Sequence, residues 1–126
     1  MPDAGPEQEA ITTSVLLALA GVRSGQAACV LGPAGLLHRA VTAGTGRALA
    51  AAGPAEVVIA PTRPDLLVAV SLLHPGGRLV ALAADEPAAR RTAVRHGLVL
   101  QHLMPVDGRV AWSAVAPLRP GRDSAN

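Results

Sequence analysis

Apolar residues along this chain come in short blocks, each closed by glycine or proline, and the spacing inside each block separates helices from strands. In residues 9–22, EAITTSVLLALAGV, the positions Ile11, Val15, Leu16, Leu19 and Val22 recur three and four apart, which predicts an amphipathic helix closed by Gly21 or by Ser24 and Gly25. Residues 27–32, AACVLG, are apolar throughout and run into Pro33, the pattern of a buried strand entering a turn. A helical stretch follows from Ala34. Gly44 and Gly46 interrupt it, and since each costs about 1 kcal/mol inside a helix, a break or two short helices ending at Gly53 and Pro54 are expected.

The run 56–60, EVVIA, is β-branched and bounded by prolines, so it reads as a second strand. After the loop that carries Pro61 and Pro64, the nearly unbroken apolar run after Asp65 fits a short helix pressed against a sheet and stopped at Pro75, Gly76 and Gly77. Residues 78–84, RLVALAA, form the third strand. Asp85 as cap with Pro87 in the first turn starts another helix, and Gly97 stops it. Two final apolar runs, 98–106 and 109–117, flank Asp107 and Gly108, a pair favoured in hairpin turns. The alternation predicts an α/β fold: a mostly parallel sheet of about five strands, helices on both faces, and an antiparallel hairpin at the end.

At 126 residues, half of them apolar, the chain suffices for one core and is short for two. Residues 1–8 and 119–126, rich in Pro, Gly, Asp, Ser and Asn, read as disordered tails around a single domain at 9–118. There is no Phe and no Tyr, so Trp112 is the one large ring available to fill the core. The net charge of +2 comes from arginines dispersed among carboxylates without a basic block or interleaved rings, which argues against a nucleic-acid surface. Cys29 stands alone in an apolar run and reads as a buried small hydrophobe. His38, His74, His96 and His102 lack the spacing of metal ligands. His74 and His96 are expected at helix C-termini, where the helix dipole favours their charge. The N-terminus lacks a basic leader segment, and every apolar stretch breaks well short of the ~20 residues that span a bilayer, so a cytoplasmic protein is expected.

The segment Leu72-Leu73-His74-Pro75-Gly76-Gly77-Arg78-Leu79-Val80 is similar to the turn, commonly Leu-Lys/Arg-Pro-Gly-Gly-Arg-Leu, that leads into the fifth strand of class I S-adenosylmethionine-dependent methyltransferases. Here His74 stands where the basic residue is usual. Residues from Ala55 to Pro117 resemble the second half of that fold, with Glu56 opening its fourth strand, where Asp is usual. The resemblance implies a Rossmann-like methyltransferase fold and speaks to fold more than to activity. The first half departs from the pattern. About 23 residues separate Gly32 from Glu56, an interval in which the family places two further strands and two helices, so a cut-down fold is expected that lacks the second and third strands and their nucleoside-binding residues.

If a cofactor site survives, the resemblance places it at Gly32, Ala34 and Gly35 after the first strand, with Thr62 after the second; Asp65 or His38 would serve as base. Thr42 to Gly46 is a second candidate glycine loop, and either loop can equally be a helix break. Thr62, Arg63 and Asp65 also read as a plain loop with Asp65 as helix cap. Two functions from different classes follow. One is a degenerate methyltransferase-like protein that acts by binding, with weak or no S-adenosylmethionine binding. It would be a partner subunit or a small-ligand scaffold with a chaperone or cyclase-like role, and the unpaired apolar edge from Ala27 to Leu31 would be covered in a homodimer or against a larger enzyme. The other is an active, minimal small-molecule methyltransferase that uses S-adenosylmethionine. A structural interaction module presenting the helix from Ile11 to Leu19 is a third.

Overall fold

Val57 and Ile59 point to one side of their strand and Val58 and Ala60 to the other, and all four are buried. A strand covered on both faces belongs inside a sheet with helices above and below, which is the parallel α/β arrangement. The computed structural model describes residues 6–31, 35–46, 54–61 and 66–117. Along them run α1 (Pro6–Ala20), β1 (Ala28–Val30), α2 (Gly35–Thr45), β2 (Ala55–Ala60), α3 (Leu66–Leu72), β3 (Leu73–Ala83), α4 (Glu86–Arg95), β4 (Val99–Val106) and β5 (Arg109–Val115). The strands form one sheet in the order β1-β2-β3-β5-β4; β1, β2 and β3 pair in parallel, and β5 pairs antiparallel with both β3 and β4. This is the expected architecture of five strands ending in a hairpin.

The strand alternation divides the core in two. Val57, Ile59 and Val80 pack with Leu16 and Leu19 of α1 and Leu37 and Val41 of α2. Val58, Leu79 and Trp112 pack on the opposite face with Leu66 and Ala69 of α3 and Ala89 and Ala93 of α4. Trp112 is 0% exposed and is the largest of the buried side chains, as its isolation among aromatics predicts. Cys29 is buried too, and burial pushes its thiol above the ordinary range.

Several boundaries differ from those that spacing marks. α1 starts at Pro6, ahead of Glu9, because proline suits the first turn of a helix. Ile11 lies outside the buried stripe and is 55% exposed, whereas Leu16, Leu19 and Ala20 carry the packing. α2 runs without a break through Gly44, whose missing Cβ would lie 3.1 Å from Cγ1 of Val22, so glycine there lets the helix approach that side chain. The helix ends at Gly46, which has φ of +71° and donates to the Thr42 carbonyl.

α3 passes directly into β3, so Pro75, Gly76 and Gly77 are inside a strand and not in a loop. The reason is pairing with the far end of the chain: Gly76 donates to the Ala116 carbonyl and Ala116 donates to the Gly77 carbonyl. His74 therefore belongs to β3 and gains nothing from a helix dipole, while His96 does cap α4. Asp85 caps the other end of α4 by accepting the Ala88 N–H at 2.9 Å. Asp107 and Gly108 both take positive φ, as a two-residue hairpin turn of the twisted kind requires.

The two parallel crossovers differ in hand. β1-α2-β2 and β2-α3-β3 both step the same way across the sheet, yet α2 lies on one face and α3 on the other. Two such connections necessarily have opposite hands, although about 98% of βαβ units are right-handed. In a doubly wound sheet of order 3-2-1-4-5-6, the helix after the first strand leads outward to the second. Here α2 leads inward, to the strand that would otherwise be the fourth.

Candidate functional site

Ligands of open α/β sheets sit at the carboxyl ends of the strands, where loops leave the sheet and helix N-termini point their free N–H groups. In this chain that edge is formed by Leu31 after β1, Pro61 after β2, and Ala84 with Asp85 after β3. Gly35 is the first residue of α2 and is exposed; His38, one turn along, is half-buried beside Leu37, which packs against the sheet. Gly35 and His38 thus stand in the first turn of α2, the helix that follows β1. Gly32, Ala34, Thr62 and Asp65 lie outside the described residues, as does Arg63. The second candidate loop, Thr42 to Gly46, is the last turn of α2, away from that edge, and follows no strand.

A nucleoside needs more than the loop. In the doubly wound arrangement an acidic residue at the end of the strand beside the first accepts hydrogen bonds from the ribose hydroxyls. β1 has a single neighbour, β2, and among the described residues no strand lies on its outer side. The ladder also fixes which backbone groups are free. Val57 donates to the Ala27 carbonyl and Leu31 donates to the Ile59 carbonyl, so the alternation turns the N–H and C=O of Ala28 and Val30 toward the open flank.

A small cavity of about 80 Å³ does lie near the carboxyl end of β3, between α3 and α4. Leu66, Leu82, Arg91, Arg95 and Trp112 line it, and the buried Trp112 indole N–H has no hydrogen-bond partner among the described residues. A much larger cavity, about 480 Å³, opens at the opposite, amino-terminal edge of the sheet. Its walls bring together Arg23, Gln26, Glu56, His74 and Arg78, a cluster that no spacing rule flagged. Arg78 closes the Pro-Gly-Gly segment, and its Nη1 donates to the Ala20 carbonyl at 3.1 Å across 58 positions of sequence. The segment is thus a structural clasp: it holds the end of α1 and lets β3 press close to β2. A Cβ on Gly77 would stand 2.8 Å from the His74 carbonyl oxygen, with the carbonyls of Ala55 and Glu56 at 3.1 and 3.2 Å.

No protein-family model matches this chain, and no curated protein matches it. Solved structures do match in fold. An RNA methyltransferase from Salinibacter ruber, in complex with S-adenosyl-L-homocysteine, superimposes with a TM-score of 0.62 at 14% identity, over 95% of this chain and 96% of that one. A methyltransferase from Pyrococcus furiosus gives 0.59 at 12% identity, covering 91% and 88%. A SAM-dependent O-methyltransferase from Thermotoga maritima gives 0.55 at 12% identity, covering 95% of this chain and 68% of its own. At such identities the likeness concerns the fold alone. The chain has a class I S-adenosylmethionine-dependent methyltransferase-like fold, in a form whose described sheet has five strands.

Proposed function

We propose that this protein acts by binding rather than by methyl transfer: a methyltransferase-like fold with weak or no affinity for S-adenosylmethionine, serving as a subunit that docks to a protein partner through the β1 flank. The observation that carries this reading is the place of β1 at the end of the sheet, on the side where the doubly wound fold puts the strands that hold a nucleoside. The inward path of α2 supports it: the next strand after β1 among the described residues is β2, on its inner side. The backbone of Ala28 and Val30 faces away from β2, and no described strand pairs with it there, so it offers a partner donors and acceptors. The apolar face of α1 is used within the protein's own core, which weighs against α1 as the contact surface.

The test pairs calorimetry with mass. Titration with S-adenosylmethionine is expected to give no binding in the micromolar range, and size exclusion with light scattering is expected to show an assembly heavier than one chain, or heavier once the natural partner is added. Micromolar binding that adenosine displaces would overturn the proposal and restore the rival reading, an active minimal methyltransferase with Gly35 at the cofactor and His38 as base. That rival also makes a demand of its own: Gly35→Asp, which crowds the loop with a side chain and a charge, must abolish turnover.

A further inference from the structure

The amino-edge cavity carries chemistry that neither reading of the carboxyl edge uses. Its volume, about 480 Å³, falls in the range of small-molecule sites. Its walls hold charges of both signs that the protein leaves largely unmatched. The Arg23 guanidinium, exposed on the turn after α1, has no hydrogen-bond or ion-pair partner among the described residues. Arg78 is half-buried; Nη1 is engaged by Ala20, and Nε has no hydrogen-bond partner among the described residues. Glu56 lines the same cavity and accepts the Ala27 N–H through Oε1 at 2.8 Å, and among the described residues nothing engages its other oxygen. Gln26 holds the turn by accepting the Arg23 N–H with its carbonyl, which leaves its amide N–H groups available as further donors.

Two guanidinia beside one carboxylate select a ligand by sign. A simple cation meets two positive charges, and a polyanion meets Glu56, so each lacks a match on one wall. A molecule with a carboxylate and an ammonium on neighbouring atoms satisfies both. Guanidinium forks suit the two oxygens of a carboxylate, and the free oxygen of Glu56 suits an N–H⁺ donor. Gly21 lets Arg78 lie against the end of α1: a Cβ there would fall 2.8 Å from Arg78 Nη1. We infer that the amino-terminal edge is a binding site for an amino-acid-type zwitterion, its carboxylate on Arg23 and Arg78 and its ammonium on Glu56. It lies at the opposite end of the strands from the cofactor edge and stands whether or not the proposal above survives.

Titration of the whole ¹⁵N-labelled chain with each of the twenty common amino acids, followed by backbone amide shifts, tests this. At least one amino acid is expected to shift Gly76, Gly77 and Arg23 saturably, and propionate and propylamine, which carry one charge each, are expected to bind about tenfold more weakly or worse, the scale of one lost charge-assisted contact. Glu56→Gln keeps the acceptor for Ala27 while removing the charge, and it should weaken the amino acid about tenfold without weakening propionate. Arg23→Gln, on an exposed turn, should weaken both. Unchanged spectra with all twenty amino acids, equal binding of propionate, or an unaltered affinity in Glu56→Gln would each overturn the assignment. Adenosine leaves these amides unmoved, which keeps the outcome separate from that of the cofactor titration.

Discussion

The two flanks of the sheet are built to different standards. On the hairpin side, β3 and β5 pair over six consecutive residues, and β5 and β4 continue the ladder with one irregularity between Leu100 and His102. The outer strand, β4, is defended by Pro105 and by that bulge, devices that keep an edge from recruiting other strands. On the opposite side, β1 pairs over three residues, has no proline or charge within it, and buries all three of its side chains beneath the helices. The hairpin flank is a finished edge. The β1 flank has the burial of an interior strand at the margin of the described sheet, and β1 is short.

The largest effect is therefore expected on the hairpin side. Trp112 fills the space between β5, α3 and α4 in a chain that has no other large ring to replace it. Trp112→Ala should cost about 3–5 kcal/mol, the usual range for emptying such a site. Against the 5–15 kcal/mol that holds a domain of ordinary size, this moves the urea midpoint far or abolishes the transition. A midpoint within a small fraction of the original would show that the hairpin flank is not where stability resides, and the comparison would fail.

The next effect falls at the seam where β3 meets β2. Gly77→Ala places a methyl group against three backbone carbonyls that cannot rotate away, and overpacking of this kind costs about 1–3 kcal/mol. Gly25→Ala is the matched control: its φ of +81° strains any side chain, but nothing lies within 4 Å of the added carbon. A larger loss for Gly77 than for Gly25, read from urea unfolding, would show that close approach rather than backbone conformation fixes the Pro-Gly-Gly segment. The reverse order would mean the segment is a turn and nothing more.

That segment also marks how far the sequence could be read. Since each run must bury itself and each breaker has a local cause, apolar runs between glycines and prolines revealed the alternation of the nine described elements, though not the continuity of α2 through Gly44. Asp85 and the Asp107-Gly108 turn were equally legible because caps and tight turns are decided by adjacent residues. What was missed depends on distant partners. Pro75, Gly76 and Gly77 look like a loop until Ala116, some forty positions on, is seen to hydrogen-bond to them. The candidate site divides the same way. Gly35 and His38 were expected from a strand-loop-helix pattern that is local, and they lie in the first turn of α2. The cluster of Arg23, Glu56 and Arg78 was invisible, because the sheet alone brings together three residues that no motif connects.

The smallest effect belongs to β1. Cys29 is its middle residue, 3% exposed, and burial favours the neutral thiol over the thiolate. The folded chain therefore keeps this proton to a higher pH than the unfolded chain does. By linkage, the stability tied to that proton is fully present below the unfolded value of about 8.5 and shrinks as pH rises from there through the folded value. Urea midpoints taken from neutral to alkaline pH should fall more steeply for the natural chain than for Cys29→Ala, and parallel curves would refute the burial argument. The same thiol reports on the flank itself. If β1 is an interior strand waiting for a cover, it opens locally, so a thiol reagent should label Cys29 in the isolated protein at a rate that low urea barely changes, and partner binding should suppress the labelling. Labelling that rises with urea as steeply as global unfolding would make the β1 flank as firmly closed as the hairpin, and the contrast between the two edges would disappear.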